Sequence, residues 1–422
     1  MSFTTTWLTP DQARQVRAKF GTPAYVYSQQ ELEENAQKAL AFPHAFGLTV
    51  RYAMKALPNA TILHLFDRQG LHIDASSGYE AERAILAGIA PAKIQITAQE
   101  SPSNLELLVS VGVQFNACSL QQLETIGEIA PGSEISIRIN PGKGSGANGK
   151  VDVAGPRSSF GLWHELIPQA QDIIEKYNLH VTRMHTHIGS GTDPAIWQQV
   201  AVTSLDFVPK FPEVTTLNLG GGFKVARVPG EKTTDMQECG RPIRDALVRF
   251  YGETGRQLHL EIEPGTYLVA NAGIVVTSIR DIVSTDTHTF LKVDSGMTEV
   301  TRPVLYAAQH SMAIVPADPH RIVSQKREYV VVGHCCESGD LWTPTPGDAE
   351  KPMSRVLPEA SSGDLLLLGG AGAYCSSMST KNYNSFPEAP EILLTNNGEL
   401  KLIRQRQFWS EITKYEIKID GL

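Results

Sequence analysis

The sequence is poor in the features that mark membrane-embedded, secreted and nucleic-acid-binding proteins. It contains no apolar run approaching the roughly 18 residues that a membrane span needs. Its formal net charge of −8 gives no sign of a nucleic-acid or anionic-membrane partner. The N-terminal stretch MSFTTTWLTPDQARQ lacks a basic region followed by an apolar core, so we expect no signal peptide.

Cysteine is also scarce, and no CxxC pair or regular framework is present. An odd, sparse set is typical of a reducing compartment, and we expect a cytoplasmic protein. The five cysteines are Cys118, Cys239, Cys335, Cys336 and Cys375. The remaining composition, 41% hydrophobic and 19% charged, is that of a globular protein, and 422 residues are enough for two domains.

Short β-rich runs alternate with amphipathic stretches in the first two thirds of the chain. Gly or Pro stands at the joints, which is the pattern of parallel βα units. Eight parallel strands are the number that closes a (β/α)8 barrel. We therefore predict a TIM-like barrel over residues 30–275, with strands in the runs 50–56, 71–77, 93–99, 113–119, 134–140, 181–189, 215–222 and 258–264.

The pattern changes after residue 275, where strand-like runs follow one another with few helical stretches between them. Asn397-Gly398 between two such runs is a strong hairpin signal. We predict a mostly antiparallel β domain over residues 276–422, joined by the N-terminal segment 1–29. The glycine-rich segment 142–159 follows the fifth strand and is predicted to be a mobile loop over the strand ends.

Unusual residues stand at the predicted carboxyl ends of the barrel strands, where barrel enzymes carry their active sites. Lys55 closes the first run, RYAMKA. Such a lysine either extends its amine to water or is held in a pocket as a nucleophile. The second interpretation gains weight because other strand ends carry Asp74, His185, His187, Gly220, Gly221, Gly222, Glu261 and Glu263.

The glycines after the seventh and eighth strands predict a phosphate site. Barrel loops at these places commonly bind phosphate through backbone N–H groups, and glycine permits the close approach. Ser190 adds a hydroxyl nearby. A phosphate site, a lysine, a buried carboxylate and a histidine are together what pyridoxal 5′-phosphate (PLP) requires of a protein.

Several motifs in this order resemble those of the fold type III PLP-dependent decarboxylases, and within them the diaminopimelate decarboxylases. They are YAMKA, HTHIGSG, LNLGGGF, EIEPG, VDSGMTEVTRPVLY, CESGD and GAYCSSMSTKNYNSF. The resemblance runs from about residue 20 to the final LIRQRQ, nearly the whole chain. It implies a PLP-binding barrel followed by a β domain, and decarboxylation of meso-2,6-diaminopimelate to L-lysine.

The resemblance also implies roles for residues of the barrel. Lys55 is expected to bind the cofactor covalently, with Asp74 beside it, and His187 to stack on the cofactor ring. Glu263 is expected to face the pyridine nitrogen, with Glu261 as the structural alternative on the same face. His185 has no counterpart and is expected to be a satisfied interior histidine. The phosphate is expected to be bound by Ser190, Gly221, Gly222, Gly265 and Tyr374.

Further roles fall in the β domain. Cys336 and Glu337 match residues that reach the partner subunit's site in head-to-tail homodimers, and Cys336 is expected to return the proton to Cα, with His187 or Lys55 as alternatives. The alternative for the Cys335-Cys336 pair is an inert buried dipeptide. Residues expected to bind the substrate are Arg302, Tyr306, Glu337 and Tyr374, with Tyr383 as a further site tyrosine.

The sequence departs from the family pattern at three places. Thr266 stands where the family usually has the arginine of EPGR, which helps to bind a carboxylate, and Phe386 replaces the arginine of NYNSR. Ser159 stands where lysine is common. Either Arg302 or Arg157 compensates for the arginine missing at position 266, or the substrate differs.

Four other interpretations compete with this one. The same fold could decarboxylate ornithine, lysine or carboxynorspermidine, which Thr266 keeps open. Racemase-like chemistry fits CESGD and TRPVLY less well. A metal-dependent barrel hydrolase using His185 and His187 would need ligands from more strand ends and leaves Lys55 unexplained. A non-catalytic homologue is disfavoured because Lys55 and Cys336 are both present.

Overall fold

The structure, a computed structural model, describes residues 7–142, 154–187 and 191–421. The chain divides into two units. One, the barrel unit, comprises Glu33–Val225 and Lys232–Leu268; the other, the β unit, comprises Met1–Leu32, Ala226–Glu231 and Val269–Leu422. The β unit is thus made of three segments of the chain. Its last segment starts at Val269, and a short one, Ala226–Glu231, comes from the middle of the chain.

The described residues form strands β1 (Ala24–Ser28), β2 (Leu48–Ala53), β3 (His72–Ala75), β4 (Ile94–Ile96), β5 (Gln114–Ala117), β6 (Glu134–Asn140), β7 (Leu162–Trp163), β8 (His180–Thr186), β9 (Thr216–Asn218), β10 (His259–Ile262), β11 (Gly273–Ser284), β12 (Thr289–Val293), β13 (Met312–Val315), β14 (Lys326–Val332), β15 (Pro344–Thr345), β16 (Asp348–Pro352), β17 (Arg355–Pro358), β18 (Leu365–Leu368), β19 (Glu391–Leu394) and β20 (Leu400–Arg404). The helices are α1 (Pro10–Phe20), α2 (Gln29–Leu40), α3 (Ala60–Arg68), α4 (Gly78–Leu86), α5 (Leu105–Ser110), α6 (Leu120–Ile129), α7 (Ile167–Lys176), α8 (Pro194–Leu205), α9 (Met236–Thr254), α10 (Thr266–Val269), α11 (Arg302–Tyr306) and α12 (Trp409–Ile412).

The barrel unit is built on parallel strands in the order β5-β4-β3-β2-β10-β9-β8-β6, and β5 pairs with β6 to close the ring. The short β7 pairs with the last two residues of β6, Ile139 and Asn140. A helix follows each barrel strand, from α3 after β2 to α10 after β10. The predicted closed barrel is confirmed, and all the predicted strands are present. Strand β6 has the predicted bounds, and the other strands are shorter because polar turns and helix caps take over at their ends.

Side-chain caps start several of these helices directly after a strand. Asn59 Oδ1 accepts the Thr61 N–H at the start of α3, and the Ser77 and Ser119 hydroxyls cap α4 and α6 in the same way. Each cap satisfies an N–H group that the helix itself leaves unbonded. The strand-to-helix turns on this side of the barrel are therefore fixed by local sequence.

Lys55 differs from the expectation that it closes a buried strand. Strand β2 ends at Ala53, and Lys55 lies in a single 3₁₀ turn, Met54–Ala56, with an exposed side chain. Met54 and Ala56 on either side of it are buried. The turn therefore anchors its apolar residues in the unit and directs the lysine outward.

The β unit contains a sheet in the order β17-β14-β12-β11-β1-β19-β20, with β18 and β13 branching from β11. Most neighbours are antiparallel, as predicted; β1–β19 and β12–β14 are parallel. The N-terminal strand β1 lies between β11 and β19. The predicted Asn397-Gly398 hairpin is confirmed by the antiparallel pairing of β19 with β20.

The core of this sheet is aliphatic. Alternate residues of β1, β11, β18 and β19 point to one face, on which α1 packs through Ala13 and Val16. None of the helices in the described ranges has the length and apolar character needed to cross a membrane.

Candidate active site

The carboxyl ends of the barrel strands bring several of the predicted residues together. Pairing of β2 with β3 places Asp74 opposite Ala53, just before the Lys55 turn. Gly265 lies on the other side, where an added Cβ would meet the Ala53 Cβ at 3.2 Å. The loop after β10 thus packs closely on the end of β2, and this packing requires glycine.

Glu263 is a buried carboxylate that accepts hydrogen bonds from the described residues through one of its two oxygens. Its Oε1 accepts hydrogen bonds from Asn218 Nδ2 at 2.7 Å and Gln95 Nε2 at 3.0 Å. Its Oε2 lies 3.6 Å from His185 Nε2, beyond hydrogen-bond distance. Burial raises the pKa of Glu263 above its usual value, so the site favours a cationic partner for the second oxygen.

Glu261, the alternative on the same strand, is in a different environment. Arg51 donates from Nε to Oε2 and from Nη2 to Oε1, at 3.2 and 3.1 Å, and Arg183 also bonds to Oε1. Burial by itself raises the pKa of Glu261, but the charges and hydrogen bonds of the two arginines outweigh it and lower the pKa to about 2. Glu261 is thus fully engaged in an ion-pair cluster, whereas Glu263 is not.

The two histidines of β8 and the loop after it are both neutral. Asn116 Nδ2 donates to His185 Nδ1 at 2.7 Å, which leaves the His185 Nε2–H directed at Glu263 without a hydrogen bond among the described residues. His187 Nδ1 accepts the Gly221 N–H at 3.4 Å. Burial, followed by the nearby Arg138 charge, lowers the pKa of both rings well below the usual value. His185 is therefore only partly satisfied, unlike the expectation.

The glycine triplet after β9 is required by two close approaches. Gly220 has φ of +70°, and a Cβ there would lie 2.5 Å from His187 Nδ1. A Cβ on Gly221 would lie 2.4 Å from the Glu263 carbonyl oxygen. Asn218 ties the triplet to the carboxylate, because its Oδ1 accepts the Gly220 N–H while its Nδ2 donates to Glu263.

Two carboxylates, Asp74 and Glu80, interact electrostatically with the Lys55 amine. Asp74 is buried, and its Oδ1 has no hydrogen-bond partner among the described residues. Burial, then the charge of Glu263, raises the pKa of Asp74 well above its usual value, and Lys55 opposes the shift. Glu80, whose pKa is raised by burial, is likewise stabilised as an anion by Lys55.

These features fit pyridoxal phosphate. The Lys55 amine interacts electrostatically with buried carboxylates, Glu263 Oε2 accepts no hydrogen bond among the described residues, and a glycine triplet keeps its backbone free of Cβ atoms. The same place contains a cluster that could ligate a metal, since single ligand atoms of His185, His187 and Glu263 lie within 4.8 Å of one another. A metal bound by this cluster would leave Lys55 without a role.

In the β unit, Cys335 and Cys336 are distinct. Cys335 is buried, and burial raises its pKa to about 12, whereas the Cys336 side chain is exposed. Asp340 accepts the Cys335 N–H at 3.0 Å, and Asn384 Oδ1 accepts the Cys336 N–H at 2.8 Å. The dipeptide is therefore not the inert buried pair of the alternative interpretation.

The loop that carries Cys336 is also held through an aromatic stack. His334 stacks on Phe386 with ring centroids 3.6 Å apart, and Phe386 stands at the position where the family usually has arginine. Asn384 adopts a left-handed conformation with φ of +49°. At position 386 the usual arginine charge is thus replaced by a stacking contact with His334, close in sequence to Cys336.

The predicted substrate-binding residues of the β unit also lie near the surface. Arg302 begins α11, its guanidinium carbon 5.9 Å from the Tyr306 ring centroid. Tyr306, Glu337 and Tyr383 are exposed, and Tyr374 is half-buried with φ of +56°. These residues belong to the β unit, whereas Lys55, Asp74, His187 and Glu263 belong to the barrel unit.

Some predictions concern residues that the structure does not describe or places elsewhere. Ser190 and most of the 142–159 segment, residues 143–153, lie outside the described residues. Arg157 is described and is exposed. Thr266 is the first residue of α10.

Sequence reasoning gave no role to several polar residues around these sites. Two of them lie inside strands without a motif, and Asn218 stands in LNLGGGF, where the glycines alone were given a role. Gln95, Asn116 and Asn218 are inward-facing residues of barrel strands, and a polar residue inside an otherwise apolar strand is the signal that could have identified them. Arg227, a buried arginine after the glycine triplet, gave no signal beyond its charge.

Comparison with known proteins agrees with this geometry. The family model described as pyridoxal-dependent decarboxylase, pyridoxal binding domain, matches residues 30–270. Diaminopimelate decarboxylase of Escherichia coli K12 is 34% identical over 421 residues, which cover 98% of each chain. A crystal structure of diaminopimelate decarboxylase superposes with a TM-score of 0.92 at 34% identity and covers 99% of both chains.

A second solved structure, diaminopimelate decarboxylase from Helicobacter pylori complexed with L-lysine, has a TM-score of 0.81 at 27% identity. It covers 95% of this chain and 98% of that chain. The family match spans more than half of the sequence, and the relatives match it from end to end. The chain therefore belongs to the pyridoxal-dependent decarboxylase family.

Proposed function

We propose that this protein decarboxylates meso-2,6-diaminopimelate to L-lysine and CO₂, using pyridoxal 5′-phosphate, as a step of lysine biosynthesis. The observation that carries the proposal is the end-to-end similarity, in sequence and in fold, to enzymes named diaminopimelate decarboxylase. A lysine and a singly engaged buried glutamate at the barrel mouth supply the chemistry that this reaction needs.

The residues that hold the cofactor are those gathered at the ends of the barrel strands, together with one tyrosine of the β unit. Lys55 is the covalent attachment point, and Asp74 stabilises its charged form. Gly221 and Gly222 offer backbone N–H groups to the phosphate, and a bulkier residue at 221 would collide with the Glu263 carbonyl. The full set is Lys55, Asp74, His187, Ser190, Gly221, Gly222, Glu263, Gly265 and Tyr374.

When bound, pyridoxal phosphate supplies an electron sink for the pair released as the Cα–carboxylate bond breaks. Glu263 holds a proton on the ring nitrogen through its Oε2, while Asn218 and Gln95 fix the carboxylate by its other oxygen. Asp74 and Glu263 together offset the positive charge that this site gathers.

Cys336 returns the proton to Cα. Its exposed side chain and fixed backbone suit a thiol that must reach a substrate. His187 is the weaker candidate, because burial keeps its imidazole neutral at physiological pH and a neutral ring has no proton to spare from Nδ1. Arg302, Tyr306, Glu337 and Tyr374 bind the end of the substrate that does not react.

The active unit is a head-to-tail homodimer in which Cys336 and Glu337 serve the partner subunit's site. The prediction is tested by mixing two inactive homodimers, Lys55→Ala and Cys336→Ala, under conditions that exchange subunits. Each mixed dimer regains one intact site, so about a quarter of wild-type activity should return if partners are chosen at random. Recovery of none, with mixed dimers present by mass spectrometry, argues against shared sites.

The first experiment is a substrate panel. PLP-loaded protein is incubated with meso-diaminopimelate, L-ornithine, L-lysine and carboxynorspermidine, and CO₂ and the amine products are measured. Lysine formed from diaminopimelate alone supports the proposal. Turnover of another amino acid with diaminopimelate inert would keep the family and cofactor but replace the substrate, and Thr266 is the observation that favours this second candidate.

A further inference from the structure

Arg227 is a buried cation whose end is unpaired. Its side chain is only 9% exposed, and Nη2 has no hydrogen-bond partner among the described residues. The residue lies in the segment 226–231, anchored in the β unit by the bond from Asn271 Nδ2 to the Ala226 carbonyl. A buried N–H group without an acceptor is costly, which indicates that a ligand supplies the acceptor for Nη2.

The Arg227 guanidinium bonds to a backbone carbonyl, and the one carboxylate that bonds to this residue does so at its backbone. Its Nε donates to the Gly370 carbonyl at 3.1 Å, and its backbone N–H donates to Glu231 at 2.7 Å. A Cβ on Gly370, which has φ of +66°, would lie 2.8 Å from Arg227 Cγ. The side chain therefore lies along a glycine backbone that fixes its direction and leaves Nη2 available.

A second unpaired guanidinium accompanies it. Arg302 Nε is also buried without a hydrogen bond, and in the part of the chain described here neither arginine pairs with a carboxylate. Burial, and then the charge of Arg302, lowers the pKa of Arg227 to about 9. Burial, and then the charges of both arginines, lower the pKa of His310 well below its usual value, so it stays neutral and adds no third charge. Arg227 Nη2 and Arg302 Nε are therefore two unpaired donors on cations that act on each other electrostatically, and such donors suit an anion.

The reactants of the proposed reaction offer two kinds of anion, the distal carboxylate of the substrate and the phosphate of the cofactor. The glycine triplet already offers backbone donors to a phosphate, whereas the position that usually gives an arginine to the carboxylate holds Thr266. Arginine can bind a carboxylate through two N–H groups at once. Arg227 Nη2 and Arg302 Nε both lack an acceptor among the described residues, so each can donate to such a carboxylate.

We infer that Arg227, together with Arg302, binds the distal α-carboxylate of diaminopimelate and thereby replaces the arginine that is missing at position 266. The inference rests on the proposed function and names the residue that selects a substrate with a carboxylate at both ends. A decarboxylase for ornithine or a diamine precursor would have no use for a second buried guanidinium at this place.

The test compares two product-like ligands that differ at the group in question. L-Lysine keeps the distal carboxylate and cadaverine lacks it, so their affinities for PLP-loaded protein are measured by calorimetry in wild type and Arg227→Met. We expect the variant to lose about tenfold to a hundredfold in L-lysine affinity and less than about twofold in cadaverine affinity. Arg327→Met, which removes an exposed arginine of the same unit, is the matched control.

An unchanged ratio of the two affinities in Arg227→Met overturns the inference. If the PLP affinity falls instead, while the ratio stays the same, the anion is the phosphate and the carboxylate assignment is wrong. Arg227→Gln, which keeps a donor for the Gly370 carbonyl, replaces the methionine variant if that variant does not fold. The proposed function fails separately, in wild type, if diaminopimelate is inert.

Discussion

Glu261→Gln should destabilise the barrel without removing the cofactor. The native pKa of about 2, against 4.5 for a free glutamate, corresponds to about 3 kcal/mol of stabilisation of the ionised form. The glutamine has no charge for Arg51 and Arg183, and leaving buried charges without a partner costs about 3–5 kcal/mol. Urea unfolding should therefore show a loss of about 3 kcal/mol or more, with cofactor absorbance retained below the transition.

The pH dependence gives a second measure of the same interaction. Because the folded pKa lies below the unfolded one, the stabilisation is fully present above about pH 4.5 and is lost as the pH falls toward 2. The variant should lack this part of the acid transition. Glu263→Gln is the matched control, since its pKa is raised rather than lowered, and it should lose activity with little loss of stability. The reverse pattern, a stable Glu261→Gln and an unstable Glu263→Gln, would refute the assignment of the two carboxylates.

Three further changes test other parts of the structure. Burial raises the pKa of Glu299 to about 7, so its contribution to stability is present below about pH 4.5 and is lost as the pH rises to 7. Glu299→Gln should remove this fall in the free energy of unfolding, which amounts to about 3 kcal/mol. Urea titrations at a series of pH values measure it, and an unchanged pH dependence in the variant would contradict the expectation. Gly221→Ala places a methyl group 2.4 Å from the Glu263 carbonyl oxygen, and we expect a loss of about 1–3 kcal/mol in stability and weaker PLP binding. The control Gly252→Ala, which has open space around the added methyl group, should be neutral or stabilising. Lys55→Ala should abolish both the absorbance of covalently bound cofactor and turnover; a fully active variant would exclude Lys55 as the attachment point.

Local patterns determine much of this protein from the sequence alone. The alternation of apolar strands with amphipathic helices is enough to predict the barrel, because each βα unit buries its own apolar faces in a regular way. Asn397-Gly398 predicts the hairpin of β19 and β20 because tight hairpin turns favour these residue types, and Gly398 has φ of +82°. Motifs such as YAMKA and EIEPG carry the family, and with it the cofactor.

Only the tertiary structure separates residues that look alike in the sequence. Glu261 lies in β10 and Glu263 directly follows it, yet Arg51 and Arg183, distant in sequence, bond to Glu261 and leave Oε2 of Glu263 without a hydrogen bond among the described residues. Cys335 and Cys336 are adjacent, yet only one is exposed.

Arg227 shows the same limit most clearly. Nothing in its neighbourhood along the chain marks it as functional, and its significance comes from burial beside Arg302 and from a glycine more than a hundred residues away. Charge and hydrogen-bond partners are properties of the folded environment, because burial changes the energy of an ionised group far more than any neighbour in sequence does. The sequence by itself therefore determines fold and family, while the tertiary structure decides which charged groups remain free to bind a ligand.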